Sequence, residues 1–258
     1  LGGDAADELF AGYDTFKAIK FLNIIKTLKL NKLNPFVTHL LSKLPSDYSY
    51  MNYKFKLNRF CRFSGNNIAT AHGQWLSPLT NNDIFELFNQ KVTNEEIYSE
   101  AIDLWEKNKN LNNIDNSLQF YAKIFLQDQI LVKTDRLSML NGLEVRSPFL
   151  DYDLVDCIRK IPSNLKLKGR TSKYILKKTF ENHLGKKFTH RKKVGFSAPI
   201  SKWLNDNKNL LKINSNFLKN KNQYVQDKLD EHSSFKNENR ILLWNVMNLD
   251  NFLHKNGF

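Results

Sequence analysis

The chain opens with LGGDAADELFAGY, in which three acidic residues, Asp4, Asp7 and Glu8, stand among glycines, alanines and apolar residues. Gly2, Gly3, Ala5 and Ala6 leave backbone amides bare ahead of a helical run, and such amides attract an anion. A helix start needs one side-chain acceptor as its cap. Asp4 and Asp7 together exceed that need. Two carboxylates beside a phosphate repel it unless a divalent cation lies between them. Mg²⁺ held by one or two carboxylates plus substrate phosphates is the usual solution. The plainer reading is a capped helix whose Asp7 and Glu8 favour the macrodipole. Spacing alone leaves both readings open.

A cation forms the second candidate. In GRTSKYILKK the pattern predicts a helix after Gly169, with Thr171 or Ser172 as cap and Lys173 in the first turn. A positive charge there opposes the helix dipole by about 0.3–1 kcal/mol. Lys168 and Arg170 add to the conflict, which a bound phosphate would offset. A solvated lysine cluster is the alternative. In GLEVRSPFLD, Glu144 and Arg146 flank Val145 in an apolar context, which reads as a structural ion-pair network, since buried charges are tolerated when paired. Three cations precede Gly195 in RKKVGFSAP and fit a phosphate contact or a solvated loop equally. The six histidines show no HExxH or metal-triad spacing.

These stretches, taken in order, resemble the synthetase domain of the glutamine-dependent asparagine synthetase family. The segments that carry the resemblance are GGDAADELFAGY, LVKTDRLSM, GLEVRSPFLD, GRTSKYILKK and RKKVGFSAPISKWL. The resemblance implies ATP-dependent adenylation of a carboxylate, that of aspartate, through a β-aspartyl-AMP intermediate, followed by amide formation with ammonia released from glutamine. It implies ATP and Mg²⁺ as cofactors. Asp4 falls on the family's acidic position thought to act as base on ammonia, and Asp7 on its Mg²⁺–pyrophosphate carboxylate. Gly2 and Gly3 fall in the nucleotide loop, with Gly2 where many relatives carry Ser. Lys173 matches a pyrophosphate-contacting lysine. Asp135 and Arg136 match a signature lining the same cleft, with Glu144 and Arg146 as supporting residues. Some relatives carry a further carboxylate five residues before Asp135, where this chain has Ile130.

The elements that must position these residues read as helices. Gly and Pro are scarce, at 10 and 6, and apolar residues recur at helical spacing. Leu9, Phe10, Tyr13 and Phe16 begin one such pattern, continued by Ile19, Leu22 and Ile25. Short helices are expected over residues 32–65, broken near Pro35, Pro45 and Gly65. TNND reads as a loop before a helix around IFELF. A long helix is expected over about 112–140, stopped by Gly142, and then a helix capped by Asp151 and ended by Pro162. Residues 205–240 are polar and weakly periodic. The fold expected is mainly α, the helical C-terminal portion of a PP-loop α/β synthetase domain spanning residues 1–258.

The bulk numbers bound the remaining classes. With 258 residues, 41% of them apolar, the chain can bury a real core. Cys61 and Cys157 lack CxxC partners, which excludes a cysteine zinc site and fits a reducing, cytoplasmic compartment. No apolar run approaches the ~18–20 residues of a membrane span. The net charge of +13 admits a basic helical nucleic-acid-binding module as a reading of another class, but Lys- and Asn-rich runs such as NKNLNNIDN explain it as composition. Small-molecule substrates are expected, with no nucleic acid and no membrane, and a homodimer of the full-length protein. A same-fold amidotransferase acting on a sugar or peptide carboxylate is the alternative within the resemblance. The family's SGGxDS phosphate loop and glutaminase domain do not occur in the sequence. The isolated chain is therefore expected to give background signal in ATP–pyrophosphate exchange, and clear turnover would overturn that expectation.

Overall fold

The structure is a computed structural model that describes residues 1–27, 39–40, 43, 53–63, 67–191, 198–207 and 213–257. The chain forms two compact units. One comprises Leu1–Lys29 with Ser99–Val194, the other Leu30–Tyr98 with Gly195–Phe258. Both are helical. Among the described residues the only strands are Leu167–Lys168 and Thr171–Ser172, a two-residue antiparallel pair with Leu167 opposite Ser172.

The first unit is built on a long helical run. Asn112 caps it, its side chain accepting from the backbone N–H groups of Ile114 and Asp115. The run is α-helical over Asn113–Phe120, π-helical over Tyr121–Leu131, and α-helical again over Val132–Met139. Gly142 follows at φ +64°, a backbone conformation that glycine adopts without strain. The expected long helix and its stop are both present; the wider π turn is not visible in the residue spacing. The helix Tyr152–Lys160 is capped by Asp151, whose carboxylate accepts from Leu154 N–H at 3.1 Å, and Pro162 lies just beyond its end.

Two expectations change. The apolar pattern from Leu9 to Ile25 is not one helix. A single turn, Ala6–Leu9, ends at Phe10, and a second helix runs from Asp14 to Thr27. Between them Ala11 takes φ 53°, which a continuing helix forbids. Leu9, Phe10, Phe16, Ile19 and Leu22 are buried all the same. Thr171 and Ser172 are strand residues, so neither caps the helix Tyr174–Leu184. Its N-cap is Lys173 itself.

In the second unit, Leu87, Leu204, Leu218, Val225, Leu229, Leu242, Leu243 and Val246 form the core. TNND is not a loop before a helix but the helix start. Thr80 caps Asn81–Phe88, and Asp83 returns its carboxylate to the Thr80 backbone N–H at 2.6 Å, a reciprocal capping box. Tyr53–Cys61 is helical, while most of the expected short helices over residues 32–65 lie outside the described residues. The polar 205–240 stretch contains a regular helix, Asn222–Ser233, with Val225 and Leu229 inward.

Two histidines of this unit are enclosed. His72 packs edge-on against Trp75, ring centroids 5.5 Å apart, and burial pushes its pKa from 6.5 down to about 3. Burial likewise pushes His232 down to about 4, although a backbone hydrogen bond at Asn237 opposes the shift. Both rings are neutral in the fold. In the unfolded chain they bind a proton below about pH 6.5, so stability rises with pH through that window and falls on acidification. His72→Gln should therefore flatten the dependence of unfolding free energy on pH by up to about 1.4 kcal/mol per unit between roughly pH 6 and pH 4. Urea unfolding across that range reads the slope; an unaltered slope would contradict the assignment.

Candidate functional site

The opening loop is pinned by a segment that follows it by more than a hundred residues. Gly2 N–H donates to the Arg146 carbonyl at 2.7 Å, and Ser147 Oγ donates to the Asp4 carbonyl at 2.7 Å. Beneath the loop, Ala5, Leu9 and Phe10 pack with Leu126 and Ile158, and Ile130, Ile175 and Leu176 pack against that cluster. The GLEVRSP segment thus contributes backbone and one serine hydroxyl. Its expected ion-pair network reduces to one pair, Arg146 Nη2 to Glu144 Oε1 at 2.6 Å, both side chains exposed. An exposed pair of this kind contributes little to stability.

Asp7 and Lys173 come together from opposite ends of this unit. Lys173 Nζ lies 3.0 Å from Asp7 Oδ1, with about a fifth of each side chain exposed. The backbone makes the meeting. Lys173 N–H donates to the Phe10 carbonyl at 3.1 Å, and Gly12 N–H donates to the Asp7 carbonyl at 2.7 Å. Gly12 underlies the pair so closely that a Cβ there would stand 1.9 Å from Asp7 Oδ1 and 2.4 Å from Lys173 Cε. Among the described residues five non-glycines have positive φ, and three of them, Ala5, Ala11 and Lys173, belong to this arrangement. Each left-handed residue of this kind costs on the order of 1–2 kcal/mol, and such strain gathers at functional sites.

The ordinary capped helix start does not describe this loop. The helix is one turn long, its N-cap is the left-handed Ala5, and Glu8 faces inward. Lys173 is at the N-cap of its helix, not in the first turn. Gly2's amide is taken by Arg146, so the bare-amide cradle does not include it; Gly3 is exposed, with nothing within 4 Å of its Cβ position. Asp4 is half-buried beside them. Asp135 and Arg136 are exposed on the Val132–Met139 helix, and neither side chain makes a hydrogen bond or ion pair among the described residues. Lys192, Lys193 and Gly195 lie outside the described residues.

The charges around the pair are uneven. Lys177, one helical turn beyond Lys173, has its pKa lowered first by burial and then by Lys17 and Lys173. Lys17 and Lys173 lie close enough to Lys177 to repel it, a repulsion that an arriving anion would relieve. Glu8 is buried beside Asp7, and burial raises its pKa against the lowering effect of its bond to Tyr13. Among the described residues no three His, Cys, Asp or Glu side chains converge as a metal site. One carboxylate beside an amine suits a Mg²⁺ ion that arrives on phosphate oxygens, which needs only one or two protein carboxylates.

The family model for asparagine synthase matches residues 1–254. The chain belongs to the asparagine synthase family. Among its relatives is asparagine synthetase [glutamine-hydrolyzing] 1 of Bacillus subtilis, 26% identical over 257 residues, which cover 96% of this chain and 39% of that protein. A putative asparagine synthetase [glutamine-hydrolyzing] of Mycobacterium bovis is 28% identical over 79% of this chain and 30% of its own length. A probable asparagine synthetase of Acanthamoeba polyphaga mimivirus is 32% identical over 50% of this chain and 24% of its own. The chain spans about two-fifths or less of the length of these asparagine synthase relatives. No solved structure matches it. No helix among the described residues is long and apolar enough to cross a membrane.

In the sequence Gly12 and Ser147 are not singled out, and Glu8 reads as a helix-dipole charge and Tyr13 as part of an apolar stripe rather than as partners of each other. Only Gly12 carried a signal, as a glycine interrupting an apolar helical pattern. Gly12→Ala should drive the Asp7–Lys173 pair apart to beyond about 4 Å, with a stability loss of about 1 kcal/mol or less, because both neighbours are flexible, partly exposed ends. A structure of the variant with the pair intact at its original distance would contradict this packing.

Proposed function

We propose that this chain is part of the synthetase portion of a glutamine-hydrolysing asparagine synthetase. The observation that carries the reading is the meeting of Asp7 and Lys173 over Gly12, at the two motifs that the family resemblance assigns to pyrophosphate. The relatives' names support asparagine formation from aspartate.

The reaction has two steps. A carboxylate oxygen of aspartate attacks the α-phosphorus of ATP, forming β-aspartyl-AMP and releasing pyrophosphate. Ammonia from glutamine then attacks the acyl carbon, AMP leaves with the C–O bonding pair, and the nitrogen loses a proton. Mg²⁺ bound with ATP would neutralise phosphate charge as the α–β bond breaks. Asp7 would hold that ion, and its contact with Lys173 holds the side chain in place beforehand. Lys173 Nζ would stabilise the leaving pyrophosphate, with Lys177 close behind. Stabilisation of developing charge in a preorganised site is commonly worth several kcal/mol. Asp4 would accept the proton from the attacking nitrogen. Its carbonyl bond to Ser147 fixes the loop that carries it.

One observation favours a second reading of the acceptor. Ile130 packs against the apolar cluster beneath the loop, at the position where some relatives carry a carboxylate. An acceptor other than aspartate, a sugar or peptide carboxylate, is the alternative on the same scaffold.

In the full synthetase, Asp7→Asn should reduce ATP–pyrophosphate exchange at least about 100-fold, equivalent to roughly 2.7 kcal/mol of lost transition-state stabilisation, and leave glutamine hydrolysis nearly intact. Exchange at the unmodified rate would overturn the role of Asp7. Replacing aspartate by other carboxylates in the same assay separates the two acceptor readings.

A further inference from the structure

Next to Asp7 in the chain, the buried Glu8 carboxyl leads to a set of hydroxyls, those of the half-buried Tyr13 and Thr15 and of the buried Tyr121. Glu8 is 3% exposed, and Tyr13 Oη donates to its Oε1 at 2.5 Å. The Tyr13 ring stacks on Tyr121 at 4.9 Å between centroids, and the Tyr121 hydroxyl lies 2.5 Å from Thr15 Oγ1. Tyr121 belongs to the π-helical stretch and is fully enclosed.

Glu8 and Tyr13 bracket the turn that makes the site. Within it Ala11 is left-handed, the Phe10 carbonyl receives the Lys173 N–H, and Gly12 lies against both charged side chains. Residues 8 and 13 lie at the two ends of a reversal whose backbone is closed by the bond from Gly12 N–H to the Asp7 carbonyl. The side-chain bond between them spans the same reversal, and a further anchor, the ring stack on Tyr121, fixes it to the long helix. A buried carboxyl adjacent to a site carboxylate is an expensive way to support a turn.

We propose that the Glu8–Tyr13 hydrogen bond is a strut whose work is to hold Asp7 against Lys173, making Glu8 and Tyr13 positioning residues of the pair. Its relevance to synthesis rests on the pyrophosphate reading above; the strut itself stands on the geometry of the turn. Breaking the bond frees the turn to relax, Gly12 withdraws from beneath the pair, and the Lys173 amine is released into solvent. Glu8→Gln keeps an acceptor oxygen for the Tyr13 hydroxyl and preserves the strut.

The test is competitive acylation of lysine amines on the whole chain, read peptide by peptide by mass spectrometry. Lys178, on the same helix and paired with Glu181, is the internal reference. Tyr13→Phe should raise the Lys173-to-Lys178 labelling ratio at least about threefold. Glu8→Gln should leave the ratio at the unmodified value, as should Thr15→Val, which breaks only the neighbouring hydroxyl contact. A merely structural bond would lower the melting temperature of Tyr13→Phe without moving the ratio, and that result overturns the proposal. So does a Tyr13→Phe chain that fails to fold, since the bond would then support the fold as a whole, and so does a Glu8→Gln ratio equal to that of Tyr13→Phe. The labelling needs no nucleotide. Adding magnesium pyrophosphate to the unmodified chain reads the other question: absence of protection at Lys173 would count against the pyrophosphate reading and leave the strut standing.

Discussion

The hydrogen bond from Lys173 N–H to the Phe10 carbonyl is the constraint on which the site depends. It joins a turn near the start of the chain to the N-cap of a helix far along it. Neither partner is in an ordinary conformation. The turn holds Ala11 in the left-handed region, and Lys173 is held there too. With that bond made, the Lys173 side chain runs over Gly12 to Asp7. The apolar cluster of Ala5, Leu9, Phe10, Leu126 and Ile158 supplies the floor that keeps both backbones in place. Apolar burial provides the stabilisation, and a few strained residues turn it into a geometry.

That division explains why the charges of the site contribute so little to holding it. The Asp7–Lys173 pair is partly exposed, and pairs of this kind are worth about 0–1 kcal/mol. Left-handed non-glycine residues cost more than that. A sequence selected for stability alone would place glycine at Ala5, Ala11 or Lys173, as it does at Gly142, Gly169 and Gly185. Lys173 keeps a long cationic side chain where glycine would be the easier residue. This is the kind of local conflict that marks a position used for something besides folding.

The helices were legible where one local rule decides them. The Asn112-to-Gly142 span and the Asp151-capped helix follow from caps, stops and apolar spacing. The break at Ala11 was not legible, because alanine is a good helix former and the bonds that accompany its left-handed turn, Lys173 N–H to the Phe10 carbonyl and Gly12 N–H to the Asp7 carbonyl, are not encoded in residue type. Thr171 and Ser172 look like caps by residue type, yet their pairing with Leu167 and Lys168 uses them as strand. At the site, Lys173 was recognisable as a charge opposing a helix dipole and Asp7 as a carboxylate beyond what a cap needs, and their mutual contact was not, since nothing local encodes a meeting across the chain. Glu144 and Arg146 were read for their charge, but it is the Arg146 carbonyl and the neighbouring Ser147 hydroxyl that hold the loop. A motif shows which residues matter, and backbone roles within it emerge only when the partner segment is placed.

The most direct test is Lys173→Met in the full synthetase, with melting temperature and ATP–pyrophosphate exchange measured on the same preparation. The charged amine contributes a weak ion pair and an unfavourable charge at a helix N-terminus, and the two nearly cancel. The account predicts stability unchanged within about 1 kcal/mol and exchange reduced at least about 100-fold. A large drop in melting temperature would make Lys173 a structural residue. Exchange at the unmodified rate would contradict the account outright.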